Sequence, residues 1–104
     1  IAADIVGVPG VDAVLIGPTD LSGTAGVLRQ FDHPAVTEGV DQIISAAKRA
    51  GIPACMGVAG GPEQGAELAR RGATMVLTTE DGDLLGVGAV EAIKAAKAAV
   101  KAAG

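Results

Sequence analysis

Residues 11–22 read V-D-A-V-L-I-G-P-T-D-L-S, an apolar run that stops at a Gly-Pro pair. The run is short and rich in β-branched side chains, which is typical of a buried strand. Pro18 disfavours the helical conformation at Gly17 and therefore places a turn at the end of the run. We predict a buried strand over residues 11–16, followed directly by the polar segment Thr19-Asp20-Leu21-Ser22.

The rest of the chain alternates between helix-like and strand-like patterns. The clearest helix has its apolar residues on one face, at Val36, Val40, Ile43, Ile44 and Ala47. The sequence opens on a helix end. After the first strand it predicts a loop over residues 19–30, a helix over 36–50 capped near Asp32 and ended by Gly51, a strand over 52–58, a helix over 62–71, a strand over 74–79, a loop over 80–83 and a helix over 89–103.

Strands that alternate with helices indicate an α/β fold with a parallel sheet and right-handed crossovers. Three parallel strands make an incomplete sheet. They fit the last three units of a (β/α)₈ barrel, which needs about 250 residues, or a small open α/β sheet. The 104 residues lack an initiator Met and open in mid-pattern, so we expect a single partial domain, residues 1–104, without its amino-terminal half.

Composition narrows the classes of partner. The chain is 49% hydrophobic with Phe31 as its one aromatic residue, and its net charge is −4. Scattered basic residues and almost no aromatic side chains argue against nucleic-acid binding. We expect no membrane partner, because no apolar run approaches the roughly 18–20 residues of a membrane span. Residues 1–10 do not resemble a signal peptide. The single cysteine, Cys55, fits a reducing, cytoplasmic setting.

The segment after the first predicted strand is the strongest candidate site. Functional groups collect at the carboxyl ends of strands in barrels and in open parallel sheets. A carboxylate such as Asp20 can bind a hard divalent ion there, and backbone N–H groups of a tight turn can hold a carboxylate. The alternative is that Asp20 or Ser22 caps a local turn.

Four other features are weaker candidates, each with a structural alternative. Residues 58–62 resemble an anion-binding loop before a helix, or a plain connection. The acidic residues Glu80, Asp81 and Asp83 follow a strand, and we interpret them as a helix-capping loop. His33 stands alone at a helix start, and Cys55 lies mid-strand without a nearby base; both are interpreted as structural.

Several motifs together resemble the HpcH/HpaI aldolases, the class II pyruvate aldolases. Residues 10–22 match the family's G-V-D-x-x-x-I-G-P-x-D-L-S signature. The likeness continues over nearly the whole chain, through Gly26, His33-Pro34-x-Val36, Ala50-Gly51, Gly72-Ala73, Asp81 and Leu84-Leu85. Cys55, Gly57 and Thr79 depart from the usual family residues.

The resemblance implies a (β/α)₈ barrel of which this chain is the part from the sixth strand onward. It implies that Asp20 is one of two carboxylates that hold a divalent ion, Mg²⁺, Mn²⁺ or Co²⁺. It also implies that Gly17 and Thr19 lie where backbone groups meet the carboxylate of pyruvate. The second metal-binding carboxylate, a pyruvate-binding Arg and an active-site His belong upstream of Ile1, so no catalytic residue is assigned within this chain.

The implied reaction is reversible aldol cleavage of a 4-hydroxy-2-oxo acid to pyruvate and an aldehyde, with the chain alone inactive. The resemblance further implies a homo-oligomer, a hexamer whose subunits exchange their last helix. Two alternatives stay open. One is an acyl-CoA lyase of the citrate lyase β-subunit type, and the other is a non-catalytic half-barrel that serves as an assembly module.

Overall fold

The computed structural model describes residues 1–57 and 62–104. After a first short helix, each strand is followed by one or two helices. In order, the elements are α1 (Ala2–Val6), β1 (Val14–Ile16), α2 (Pro18–Thr24), α3 (Pro34–Ala50), β2 (Ala54–Gly57), α4 (Pro62–Arg71), β3 (Met75–Leu77) and α5 (Asp81–Ala102).

The three strands form one parallel sheet in the order β1-β2-β3. Val14 pairs with Ala54 and Cys55 pairs with Met75. The predicted α/β fold is therefore confirmed, and each strand lies inside the range predicted for it. The strands are shorter than predicted, because only three or four residues of each make ladder pairs; in β1 these are the last three of the predicted range. Six apolar residues of the predicted strand ranges lie on these strands, namely Val14, Ile16, Ala54, Met56, Val76 and Leu77.

The helices α3 and α4 cover one face of the sheet and enclose the core. Ile16 and Ala54 from the strands, Ile44 from α3 and Leu68 from α4 are each at most 3% exposed. A salt bridge and a hydrogen bond join α4 to α3. The Arg71 guanidinium donates to an Asp41 carboxylate oxygen at 2.8 Å and to the Thr37 carbonyl at 3.1 Å. This shared core holds the three strands, and therefore their carboxyl ends, in place against the two helices.

The opposite face of the sheet is largely uncovered. Leu15, Met75 and Leu77 point away from α3 and α4 and are between 47% and 67% exposed. Cys55, which lies between Leu15 and Met75 in the register, is buried at 2% exposure. A parallel sheet with one bare apolar face is incomplete by itself, since parallel sheets are normally covered on both faces.

Helix α3 begins and ends at residues with defined roles. His33, in the extended conformation, is its N-cap, and the His33 Nδ1 accepts a hydrogen bond from the Ala35 amide at 3.2 Å. The cap lies next to Asp32, as predicted, but the helix begins at Pro34, two residues before the predicted start; the fixed φ of proline suits this first position. Gly51 ends the helix with φ 72°, in the left-handed region, as predicted.

Two loop predictions are wrong. Within the predicted loop of residues 19–30, the chain forms α2, with Pro18 in its first turn. Residues 80–83 are the start of α5, which begins eight residues earlier than predicted. Asp81 and Asp83 lie in its first turn, where carboxylates interact favourably with the helix dipole. Gly23 lies inside α2 and Gly82 inside α5, whereas Gly26 follows α2 with φ 73°.

No residue of α5 is buried. Its six large apolar side chains are between 50% and 75% exposed, namely Leu84, Leu85, Val87, Val90, Ile93 and Val100. The chain is correspondingly long, 66 × 27 × 22 Å. Within the described ranges, no helix combines the length and apolarity that crossing a bilayer requires.

We expect the 104-residue chain to associate in solution, because contiguous exposed apolar surface of this kind is normally covered. Analytical ultracentrifugation should give a species of at least two chains. Replacing Leu85 and Val90 together with Glu should shift it towards the monomer. A wild-type monomer that unfolds cooperatively, with α5 packed on its own sheet, would contradict this expectation.

Candidate active site

The carboxyl end of β1 leads directly into α2 and carries the three residues expected at the site. Gly17 is the N-cap of α2, and Thr19 and Asp20 lie in its first turn. The Gly17 carbonyl accepts a hydrogen bond from the Leu21 amide at 2.9 Å. Because β1, β2 and β3 are parallel, their carboxyl ends meet at this same edge of the sheet.

Gly17 and Asp20 approach each other closely. A Cβ atom at Gly17 would lie 2.7 Å from the Asp20 Oδ2. Gly17 has φ −93°, which other residues also adopt, so the constraint at this position is steric. The missing side chain lets the Asp20 carboxylate fold back over the end of β1.

Ser22 fixes the loop that follows α2. Its side chain is fully buried, and its hydroxyl donates to the Thr19 carbonyl at 2.7 Å. The same hydroxyl oxygen accepts a hydrogen bond from the Arg29 amide at 2.9 Å. The loop is thereby bonded to the turn that carries Asp20.

A cavity of about 460 Å³ opens at this edge of the sheet. Its lining combines the ends of all three strands with residues from α2, α4, α5 and the loop after α2. The polar and glycine residues of its described lining are Gly17, Thr19, Asp20, Arg29, Gly57, Gln64, Thr79, Glu80 and Asp83. The structure thus brings Gly17, Thr19 and Asp20 together at an open mouth, as the sequence predicted.

Sequence reasoning missed part of this lining. Arg29 and Gln64 carried no local signal, because they reach the cavity through the path of the chain and not through a motif. Glu80 and Asp83 were noted beyond a strand end but interpreted as capping. They do begin α5, and they also line the cavity.

Three other candidates lie outside the described lining of the cavity. His33 caps α3, Cys55 is buried in the middle of β2, and Asp81 bonds through its Oδ1 to the Gly82 amide at 2.9 Å. The predicted anion-binding loop, residues 58–62, cannot be placed, since residues 58–61 are outside the described ranges.

The charge of the lining favours a cation. Three carboxylates, those of Asp20, Glu80 and Asp83, share the cavity with one guanidinium, that of Arg29. Carboxylate oxygens suit hard divalent ions. Among the residues that the structure describes, however, no three potential ligands converge closely enough to hold a metal.

A parallel α/β sheet with its polar residues gathered at the carboxyl ends of the strands is the arrangement of barrel and open-sheet enzymes. The HpcH/HpaI aldolase/citrate lyase family model matches residues 1–86. The chain belongs to this family, as the G-P-T-D-L-S segment predicted.

Three relatives illustrate the match. The chain is 42% identical over 50 residues to a hydroxypyruvate/pyruvate aldolase of Paraburkholderia phytofirmans, covering 48% of this chain and 19% of that protein. It is 38% identical over 58 residues to a 2-dehydro-3,6-dideoxy-6-sulfogluconate aldolase of Pseudomonas putida, covering 56% and 22%. The crystal structure of an HpcH/HpaI aldolase from Desulfitobacterium hafniense superposes with a TM-score of 0.82 at 34% identity, covering 91% of this chain and 37% of that one. The chain thus spans about a fifth of the two named aldolases.

Replacing Gly17 with Ala should displace the Asp20 carboxylate without unfolding the chain. The new Cβ would need Oδ2 to withdraw from 2.7 Å to at least the 3.4 Å of an ordinary contact, and a short exposed side chain can do so by rotating. A crystal structure of the variant measures the shift. Gly57→Ala is the matched control at the end of β2, where nothing lies within 4 Å. An unmoved Asp20 in Gly17→Ala would contradict the contact.

Proposed function

We propose that this chain is the carboxyl-terminal part, strands six to eight, of a (β/α)₈ aldolase. The complete protein would cleave 4-hydroxy-2-oxo acids reversibly to pyruvate and an aldehyde. The observation that carries the proposal is the position of Asp20, at the carboxyl end of β1 in an open cavity, within a segment that matches the family. All three of the relatives described above are named as aldolases, which supports the same reaction class.

The bare face of the sheet supports the barrel. Leu15 and Leu77 are exposed on the side opposite α3 and α4, and in a barrel this side is the packed interior. The chain covers 37% of the Desulfitobacterium hafniense aldolase, close to the share that three of eight units would occupy. We infer that the remaining units cover this face.

The residues of this chain have distinct proposed roles. Asp20 supplies one carboxylate ligand to a divalent ion, Mg²⁺, Mn²⁺ or Co²⁺. The backbone at Gly17 and Thr19 binds the carboxylate of pyruvate. When bound, the ion supplies Lewis-acid polarisation of the substrate ketone. Ser22 positions Thr19, because its hydroxyl donates a hydrogen bond to the Thr19 carbonyl and accepts one from the Arg29 amide.

The chain alone is inactive under this proposal. The described lining offers carboxylates and one guanidinium, while the proposed second metal ligand, the pyruvate-binding Arg and the His belong to the amino-terminal part of the barrel. Assembly with that part is therefore required, and the exposed face of α5 is suited to contacts between subunits of a homo-oligomer.

An acyl-CoA lyase is the second candidate, because the family that matches the chain includes citrate lyase. Both candidates, and a purely non-catalytic half-barrel, are separated by one experiment. The chain is co-refolded with the amino-terminal part of the Desulfitobacterium hafniense aldolase, and Mn²⁺ is added. Pyruvate released from a 4-hydroxy-2-oxo acid supports the aldolase, cleavage of an acyl-CoA substrate alone supports the second candidate, and a folded assembly without either activity supports the half-barrel.

Replacing Asp20 with Asn should weaken Mn²⁺ binding by the assembled barrel by at least about 100-fold, since loss even of an outer partner of a metal ligand costs roughly 10–100-fold. Pyruvate release should fall in parallel. The measurement is a Mn²⁺ titration followed by electron paramagnetic resonance. Asp12→Asn, an exposed carboxylate before the amino end of the same strand, should change neither. Equal Mn²⁺ affinity in the two variants would contradict the assignment.

A further inference from the structure

Arg29 has an unfavourable backbone conformation for its residue type. Its φ is 61°, in the left-handed region. Among the described residues, no other residue except glycine has a positive φ. A glycine would adopt this conformation without the steric penalty of a Cβ atom. Local backbone energetics therefore favours glycine at this position. An arginine in a strained conformation here suggests that its side chain has a function.

The position of Arg29 is fixed by the same buried hydroxyl that fixes the site. The Arg29 amide donates to the Ser22 Oγ at 2.9 Å, and that hydroxyl donates to the Thr19 carbonyl at 2.7 Å. Two hydrogen bonds thus connect the Arg29 backbone to the turn that carries Asp20. A strained conformation persists where surrounding bonds hold it in this way.

The Arg29 side chain is available for a ligand. Arg29 lines the same cavity as Asp20, Glu80 and Asp83 and is the basic residue in its described lining. Across residues 1–57 and 62–104, no carboxylate forms an ion pair with its guanidinium. A guanidinium presents a planar set of donors that matches a carboxylate in a bidentate pair.

We propose that Arg29 determines substrate specificity by binding a carboxylate on the aldehyde half of the substrate, in the cavity that it shares with Asp20. This inference rests on the proposed aldolase function. Glu80 and Asp83, which line the same cavity, would repel an anion placed near them, so the guanidinium selects where the carboxylate binds.

The test compares two aldehydes of equal chain length, 4-oxobutanoate and butanal, as acceptors for pyruvate in the assembled barrel. Arg29→Gln should raise KM for 4-oxobutanoate by about 10- to 100-fold, the range of one charge-assisted pair, and leave KM for butanal and kcat within about two-fold. Arg29→Gly should lose the same preference without a lower midpoint of thermal unfolding, because glycine relieves the backbone strain. Arg49→Gln, in the last turn of α3, is the control that should retain the preference.

Two results would overturn the inference. One is an unchanged KM for 4-oxobutanoate in Arg29→Gln, and the other is a rise in both KM values together, which would show a general structural role. If the wild-type assembly performs no aldol reaction, the proposed function fails separately. Calorimetric titration of the chain with succinate then decides, since binding that weakens at least 10-fold in Arg29→Gln supports the anion site and the absence of such binding refutes it.

Discussion

The buried hydroxyl of Ser22 is the interaction on which the arrangement of the site depends. It donates to the Thr19 carbonyl in the first turn of α2 and accepts from the Arg29 amide in the following loop. Because the side chain is fully buried, losing either partner would leave a polar group unsatisfied, at a cost of about 1–3 kcal/mol. One side chain therefore holds both the turn of Asp20 and the loop of Arg29 at the end of β1.

The glycine at position 17 completes this arrangement. The strand ends at Gly17, and the absence of a Cβ atom gives the Asp20 carboxylate space above the strand. Parallel pairing brings the ends of β2 and β3 to the same edge. The local sequence of residues 17–22 thus places a carboxylate in the cavity, while the segment that follows β3 adds Thr79 and Glu80 to the lining.

Sequence reasoning located the strands and α3 because their apolar periodicity is strong and their ends carry clear signals, such as Gly51. It failed at α2 and at the start of α5. Both segments contain glycines, which lower helix propensity by about 1 kcal/mol each, although their first turns carry signals of a helix start in Pro18, Asp81 and Asp83. Asp20 was predicted from a motif, whereas Arg29 joins the site through the bond to Ser22, a contact that no spacing rule reveals.

The central claim is that this chain contributes Asp20 to the metal site of a barrel aldolase. The most direct test is a crystal structure of the assembled barrel grown with Mn²⁺ and pyruvate, with the ion located by its anomalous scattering. The account predicts the Mn²⁺ at roughly 2 Å from an Asp20 carboxylate oxygen, the usual range for a small hard divalent ion, and the carboxylate of pyruvate against the backbone at Gly17 and Thr19. An ion bound away from Asp20, at full occupancy, would contradict it.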